Sequence, residues 1–366
     1  MEKLAYQLKN TLSKIKAYFS SPKFLRVWDK FLKICKIVIP QIAIYAILIA
    51  FSYIFMSPLL RVMVDSVKTK DDLVNPDVVW IPTQLSFEHY KNASSALLLY
   101  RVYKAMDNAW ISTLLNSTIF SLISAVLQTI VSCTAGYAFA RFSFKGKKLW
   151  FAGLIIAFVI PTQLLTIPRK IILQDLINRT ASPGVLIGNP HIGSKIDAFF
   201  SIVKTIPILL LTMFGQGINS SILTFIAFSF FKMIPYALDE AAQIDGANFF
   251  QIFYHIIIKM SVPTILVIFL FSFIWNWNDT YSLEHLTALD QGQISFQSLP
   301  ESLGGFIYRV SQGSAESGIV GEDASSSNEG LKSAAIIISI APLLILYAFT
   351  QRKFVEGIEN TGVTGV

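Results

Sequence analysis

Residues 205–231 read TIPILLLTMFGQGINSSILTFIAFSFF, 27 positions without a charged or histidine side chain. A polar stretch, KMIPYALDEAAQIDGANFFQIFYHIIIK, follows at 232–259, and MSVPTILVIFLFSFIWNWN at 260–278 is again uncharged. About 20 apolar residues rising 1.5 Å each cross a hydrocarbon core of about 30 Å. The two runs therefore read as transmembrane helices joined by a loop outside the membrane. Four further uncharged windows lie outward from them, Ile37–Leu60, Asn108–Ala140, Leu149–Pro168 and Ser333–Gln351. The runs are continuous rather than alternating, which predicts helices and not barrel strands. The expected fold is an all-α integral membrane protein with six transmembrane helices, at about 37–60, 113–140, 149–168, 207–231, 260–278 and 333–351. These make one domain over 37–351, preceded by a basic segment 1–36 and followed by a tail 352–366.

Composition agrees. Hydrophobic residues make up 53% of the chain and charged ones 14%, and mean hydropathy is +0.56. Soluble domains carry roughly 25% charged residues. Cys35 and Cys133 lie in or beside uncharged windows, so they read as small apolar side chains rather than a disulfide framework. The histidines, His89, His191, His255 and His285, are scattered and form no metal-ligand spacing. The net charge of +7 is concentrated at the N-terminus, where nine Lys/Arg up to Lys36 face only Glu2 and Asp29. A basic cluster abutting an apolar run reads as an anchor against acidic headgroups, not as a nucleic-acid site or a cleaved signal peptide.

The charges also predict orientation. With a cytoplasmic N-terminus, six spans return the C-terminus to the cytoplasm. The basic loop Arg141–Lys148 (RFSFKGKK) is then inside, as the positive-inside rule expects, and Asp279–Gly330, with eight acids and one arginine, is outside. The loop Arg169–Lys204, five basic residues against Asp175 and Asp197, runs against this pattern. Early spans usually dominate orientation, so the N-terminus and first inside loop decide. Residues 169–179 (RKIILQDLINR) fit a short amphipathic helix, either at the interface or packed on its neighbours. The tract Ser311–Gly330 is rich in Ser and Gly.

The loop at 232–259 carries the local chemistry. Pro235 suits a helix start, and Asp239 and Glu240 lie near that positive end. Leu238, Ala241 and Ala242 share a face by spacing. Gly246 suits the left-handed conformation that ends a helix, and Asn248 with Gln251 forms a variant capping box for a second. Helix, glycine turn and helix make a rigid lever. By periodicity alone it is either a linker or a dock for a soluble partner, with Asp239 and Glu240 available to pair with partner Arg or Lys.

Glu240-Ala241-Ala242, then Asp245-Gly246-Ala247, resembles the EAA motif of ABC-importer permeases. Ile234-Pro235, Leu238-Asp239 and Ser261-Val262-Pro263 around it are similar to carbohydrate-importer permeases of the MalG type, the binding-protein-dependent transport system inner membrane components. So are Asn116-Ser117, the run Gly136–Phe142 (GYAFARF), Lys145-Gly146-Lys147, Trp275–Asp279 (WNWND) and Gln351–Ile358 (QRKFVEGI). The resemblance covers roughly Ile37 to the C-terminus. One departure is that the motif usually ends Leu-Pro where this chain has Ile258-Lys259, which leaves Pro263 to supply the kink before the fifth span. The stretches 169–204 and 311–330 are longer than in compact relatives.

The resemblance implies a type I ABC-importer permease fold in a bacterial plasma membrane. It implies a non-enzymatic subunit that imports a sugar or oligosaccharide. The implied partners are a second, homologous permease, two ATPase subunits that bind the ATP, and an extracellular solute-binding protein. The residues Asp239, Glu240, Ala241, Ala242, Asp245, Gly246 and Ala247 would couple to the ATPase. The chain has no Gly-x-x-x-x-Gly-Lys-Ser/Thr phosphate loop of its own and no cofactor motif. An ion-coupled transporter would place ionisable residues within its spans, and the six windows have none. A membrane enzyme would need a catalytic constellation, and none is visible. A permease for peptides or amino acids is the remaining competitor. In the fourth window Gln216, Asn219 and Ser220 are polar, and serve either helix packing or a sugar path.

Overall fold

The structure is a computed structural model, and it describes residues 22–97, 113–181, 205–287, 296, 298–311 and 327–362. The described residues are helical or irregular, with no strand among them. Contacts divide the chain into two units, Met1–Met63 and Val64–Val366. The first unit is carried by α1 (Pro22–Asp65), whose segment Val38–Asp65 includes an 18-residue window with a mean hydropathy of 2.1. That segment is 28 residues long, or about 42 Å of helix, long enough to cross a bilayer.

The second unit is organised around α4 (Thr113–Arg141). Before it come α2 (Lys70–Val74) and α3 (Glu88–Ala96). After it come α5 (Lys147–Val159), α6 (Thr162–Ala181), α7 (Ile206–Met213) and α8 (Ser220–Met233). The loop region holds α9 (Tyr236–Ile244) and α10 (Phe249–Met260), followed by α11 (Val262–Trp277). The last three helices are α12 (Thr280–Thr287), α13 (Leu299–Ser311) and α14 (Ser327–Gly362).

α4 is built inside out relative to a soluble helix. Apart from Phe120 and Tyr137, its buried stripe is small or polar, including Ser117, Ser121, Ser124, Ala125, Gln128, Ser132, Cys133 and Gly136. Its large apolar side chains, Leu115, Ile119, Leu122, Val126 and Ile130, are exposed. In lipid the tails are as apolar as leucine, so burying leucine gains little, and helices associate through close approach and interhelical hydrogen bonds. α8 and α11 pack on this stripe. At Gly136 the approach is closest: a Cβ there would lie 2.6 Å from Ala227 Cβ and 2.8 Å from the Phe228 nitrogen.

Three apolar clusters surround α4. One joins Ala125 with Phe273 and Trp277 of α11, Phe306 of α13 and Leu331 and Ala334 of α14. A second joins Tyr137 with Leu223 and Phe231 of α8, Ala242 of α9 and Ile252 and Ile257 of α10. The third joins Phe120 with Ile177 of α6, Ile208 of α7 and Leu286 of α12. The amphipathic stretch 169–179 thus lies within α6 and packs on neighbours through Ile177, while Ile171 and Ile172 stay exposed.

Two expected spans are not single helices. The run 149–168 breaks at Ile160–Pro161, where α5 and α6 meet at 104°. The 13 residues of α5 are about 20 Å long, too short to cross alone. Pro161 explains the break, because proline disfavours helical backbone at the residue before it, and Ile160 is extended. The run 207–231 is likewise interrupted between α7 and α8, where Gly215 and Asn219 take positive φ of 74° and 52°. Among the described residues three helices are long and apolar enough to cross a membrane, or up to six if the bent pairs α5–α6, α8–α9 and α10–α11 each count as one span.

Gly136→Ala should cost about 1–3 kcal/mol, because the methyl meets backbone that cannot rotate away. Gly153→Ala, with open space around its Cβ position, should be neutral or slightly stabilising. Thermal unfolding of the purified protein in detergent, followed by tryptophan fluorescence, compares the two. Equal melting temperatures would show that α4 and α8 are not this close.

Candidate functional site

The loop folds as its local sequence predicts. α9 starts after Pro235 and ends at Ile244, and Gly246 follows with φ 83°. Asn248 and Gln251 form a complete capping box. Gln251 N donates to Asn248 Oδ1 at 2.9 Å, and Asn248 N donates to Gln251 Oε1 at 2.8 Å. α10 carries a π-helical turn at Phe253–Ile257.

The face of α9 differs from the spacing-based one. Asp239 and Ala242 are buried, whereas Leu238, Glu240, Ala241, Asp245 and Gly246 are exposed and Ala247 is half-buried. The helix is turned so that a carboxylate, not a leucine, faces inward. The cause is Arg141 at the end of α4. Its Nε lies 3.3 Å from Asp239 Oδ2, and its Nη2 donates to the Ile234 carbonyl at 2.9 Å. Its guanidinium also lies 4.3 Å from the centre of the Tyr236 ring, and Tyr236 Oη donates to the Ala140 carbonyl at 2.9 Å. The loop helix is therefore clamped to α4 at three consecutive points: before its start, in its first turn and at Asp239. Burial pushes the Asp239 carboxyl above its ordinary range; Arg141 pulls it down and Glu240 adds to the rise. Asp239 is engaged within the chain, and the acid left facing outward near the start of α9 is Glu240. The exposed tip is largely apolar: Ile244 is 87% and Phe250 85% exposed, with Phe249 and Tyr254 beside them and Asp245 in the turn.

The polar stretch of the fourth run divides in two. Ser220 and Gly217 turn inward: a Cβ at Gly217 would meet Ser220 Oγ and the Gln128 amide at 3.1–3.3 Å. Gln128 Nε2 donates to the Ile218 carbonyl and, at 3.1 Å, to Ser220 Oγ. Its Oε1 accepts from Ser272 Oγ at 2.7 Å and from Asn276 Nδ2 at 3.0 Å. Gln216 and Asn219 are exposed instead and border a cleft against the α5–α6 bend, where Arg169 Nη2 donates to Gln216 Oε1 at 2.8 Å.

A helical membrane chain with this loop can be compared with known proteins. The family model for the binding-protein-dependent transport system inner membrane component matches residues 132–360. The chain belongs to this family. It is a transport subunit of the cytoplasmic membrane and not a catalytic one, and permeases of this family work with an ATPase and a solute-binding protein. The chain is 24% identical over 298 residues to a diacetylchitobiose uptake system permease protein of Streptomyces coelicolor, covering 81% of this chain and 88% of the relative. It is 26% identical over 318 residues to a polygalacturonan/rhamnogalacturonan transport system permease protein of Bacillus subtilis, covering 86% and 94%. Its fold matches a chain from a bacterial ABC transporter involved in the import of the acidic polysaccharide alginate. There the TM-score is 0.61 and the identity 19%, with 86% of this chain and 96% of that one covered.

Within this family member, several residues of the site escaped sequence reasoning. Gln128 is a single amide in an apolar run, and its partners lie 90 to 148 positions away. Arg141 reads by sequence as the start of the basic loop that sets orientation, not as the cation that pairs with Asp239 three positions into α9. Ile244, Phe249 and Phe250 are apolar at a loop tip, a signal for a docking surface that the charges obscured.

Arg141→Met should destabilise the protein, because removing one partner of a buried pair leaves the other charge uncompensated. The deficit should be about 3 kcal/mol at neutral pH. Arg141 is the influence that lowers the Asp239 pKa, so its loss raises that pKa further above the unfolded value. The folded state then holds the extra proton, and stability falls as pH rises from the unfolded towards the folded value. The defect should shrink in acid, and Arg141→Met/Asp239→Asn should regain about 1 kcal/mol or more relative to Arg141→Met. Denaturation midpoints at several pH values test this; a pH-independent defect that Asp239→Asn does not relieve would refute the clamp.

Proposed function

We propose that the chain is the sugar-translocating permease of an ATP-driven importer. It pairs with a second, homologous permease and two ATPase subunits, and receives solute from an extracellular binding protein. One observation carries the coupling role: a loop helix locked to α4 through Arg141 and Tyr236 holds out an apolar tip, Ile244, Phe249 and Phe250, next to Glu240. An apolar tip on a rigid mount suits docking into a groove of a soluble motor, and Glu240 supplies a rim charge. ATP-driven closure of the motors moves this loop, and the spans alternate between inward- and outward-open states. Ala241, Asp245, Gly246 and Ala247 shape the tip, whereas Asp239 and Ala242 seat it. The sugar class is supported by the relatives named for diacetylchitobiose and polygalacturonan uptake and by the WNWND stretch. A permease for another solute keeps the same loop and differs in the cleft.

The loop 232–259 faces the cytoplasm in this reading, with both termini, and 279–330 faces outward. In a background with Cys35 and Cys133 replaced by serine, a cysteine at Ser326 should react with an impermeant maleimide on intact cells and one at Ser13 should not. The reverse pattern would invert the topology.

Gly246→Val places a β-branched residue at φ 83°, at a cost of about 1–2 kcal/mol, and should tilt α10 against α9. Glu240→Lys should impair coupling more than Glu240→Gln, and Phe250→Ser should weaken motor capture more than either. Copurification of the ATPase and sugar-stimulated ATP hydrolysis are the readouts. Wild-type coupling in Gly246→Val, Glu240→Lys and Phe250→Ser together would reduce the loop to a linker.

A further inference from the structure

The cleft between the α5–α6 bend and the interrupted fourth run has a composition of its own. Arg169 is the one ionisable residue among those lining it. Around it stand Thr162, Gln216, Asn219 and Ser221, with the ring of Phe158 on the α5 side. Arg169 is half-buried, and its recorded hydrogen bond goes to the neutral Gln216 side chain. The ion pairs recorded among the described residues, Lys68–Asp65 and Arg141–Asp239, do not include it. A guanidinium carries five N–H donors in a planar fork. One bond to a neutral amide fixes the plane and leaves an edge for a second acceptor. Asn219 and the neighbouring Gly215, both at positive φ, hold the opposite wall open as non-helical backbone.

The geometry points to an acid-selective solute site: the cleft takes a saccharide bearing a carboxylate, such as a uronate, with Arg169 as the group that selects it. This rests on the reading that the transported sugar passes the polar break of the fourth run. A planar carboxylate matches the guanidinium fork, with two parallel N–H···O bonds. Gln216 is a positioning residue, aiming the fork through its Oε1. Thr162, Asn219 and Ser221 offer the hydroxyl and amide partners that sugar hydroxyls require, and Phe158 offers an aromatic face. Ser220 is excluded from this role because it is buried and turned toward Gln128, whose amide donates to its Oγ. Neutral sugars leave the charge without a partner, and a polar site rejects an analogue lacking the group it is built to bond far more strongly than an apolar pocket rejects a missing methylene.

The test uses the complete importer, with its binding protein and ATPase, reconstituted in liposomes with and without phosphatidylglycerol. Uptake is measured for a panel of labelled oligosaccharides: oligogalacturonates, their fully methyl-esterified forms and neutral glucose and N-acetylglucosamine oligomers. Wild type should take up the acid at least about ten-fold faster than its ester. Arg169→Gln should lose that preference without loss of assembly, and Arg169→Lys should keep part of it, because an ammonium retains charge but not the fork. Gln216→Leu should weaken acid uptake and spare the ester. Equal uptake of acid and ester by wild type, or an unchanged preference in Arg169→Gln, would overturn the assignment. A preference for neutral members overturns it and leaves the sugar permease intact. Uptake of no saccharide at all overturns the sugar reading on which it rests. If Arg169→Gln alters only the dependence on phosphatidylglycerol, the residue anchors a lipid headgroup and the inference falls.

Discussion

A backbone broken within a membrane must find its hydrogen bonds inside the protein, and in this chain local turn bonds and the Gln128 amide supply them. Interrupting the fourth run between α7 and α8 strips the Ile218 carbonyl of a helical partner, and an unsatisfied group in lipid costs several kcal/mol. Gln128 Nε2 donates to that carbonyl and to Ser220, while Oε1 receives Ser272 and Asn276. An amide has two donor hydrogens and two acceptor lone pairs. All four are used, so the amide is fully satisfied within the protein. Each interhelical bond of this kind contributes only about 0.6 kcal/mol on average in a membrane. Its consequence is specificity: α4, α8 and α11 meet in one register, because sliding any of them leaves buried polar atoms unpaired.

The same helix ends in the Arg141 clamp. Gln128 and Arg141 are 13 positions apart, about 20 Å along one uninterrupted helix. The break bordering the cleft and the mount of the loop are therefore fixed to a single rigid element. A force on α9 either carries the end of α4 with it or separates Arg141 from Asp239 and Tyr236. Separation strands a buried carboxylate, so the first course is favoured, and the tight contact at Gly136 passes the displacement on to α8. The coupling role proposed for this loop would then require no long chain of contacts, only that α4 and α8 move together.

The fold was legible in the sequence wherever a local rule decides the outcome. The apolar runs, the glycine at 246 and the Asn248–Gln251 box depend on residues within four positions of one another, and the structure contains them. The orientation of α9 was not legible, because it depends on a cation 98 positions away at Arg141. Spacing put Leu238, Ala241 and Ala242 on one face without fixing which way the helix turns, and the arginine beside it draws Asp239 and Ala242 inward while Leu238 and Ala241 stay exposed. The bend after α5 was marked by Pro161, yet a proline in an apolar run reads equally as a tolerated kink. In the cleft, Gln216 and Asn219 were visible as polar, but Arg169 belonged by sequence to a flanking loop and joined them only through the fold.

The departure at Ile258-Lys259 shows how a bend can be retained when its usual residue is absent. A proline in a helix removes the N–H that would bond the carbonyl four residues earlier. Pro263 therefore frees the Lys259 carbonyl, and α10 and α11 meet at 79° around Ser261. Ser261 supports the corner from within: its N–H is shared between the Ile257 and Ile258 carbonyls at 3.0 Å each, and its hydroxyl donates to Ile257 at 2.6 Å. The π-helical turn just before it rotates the α10 side chains relative to an ordinary helix, which brings Ile252 and Ile257 together into the core shared with Tyr137 and Phe231. A lysine can occupy position 259 because the corner is formed by a missing donor at 263 and a doubled acceptor set at 257–258. The angle of the loop against the fifth span is thus set by Ser261 and Pro263, and the angle of its tip by Gly246, so the lever has two separately specified joints.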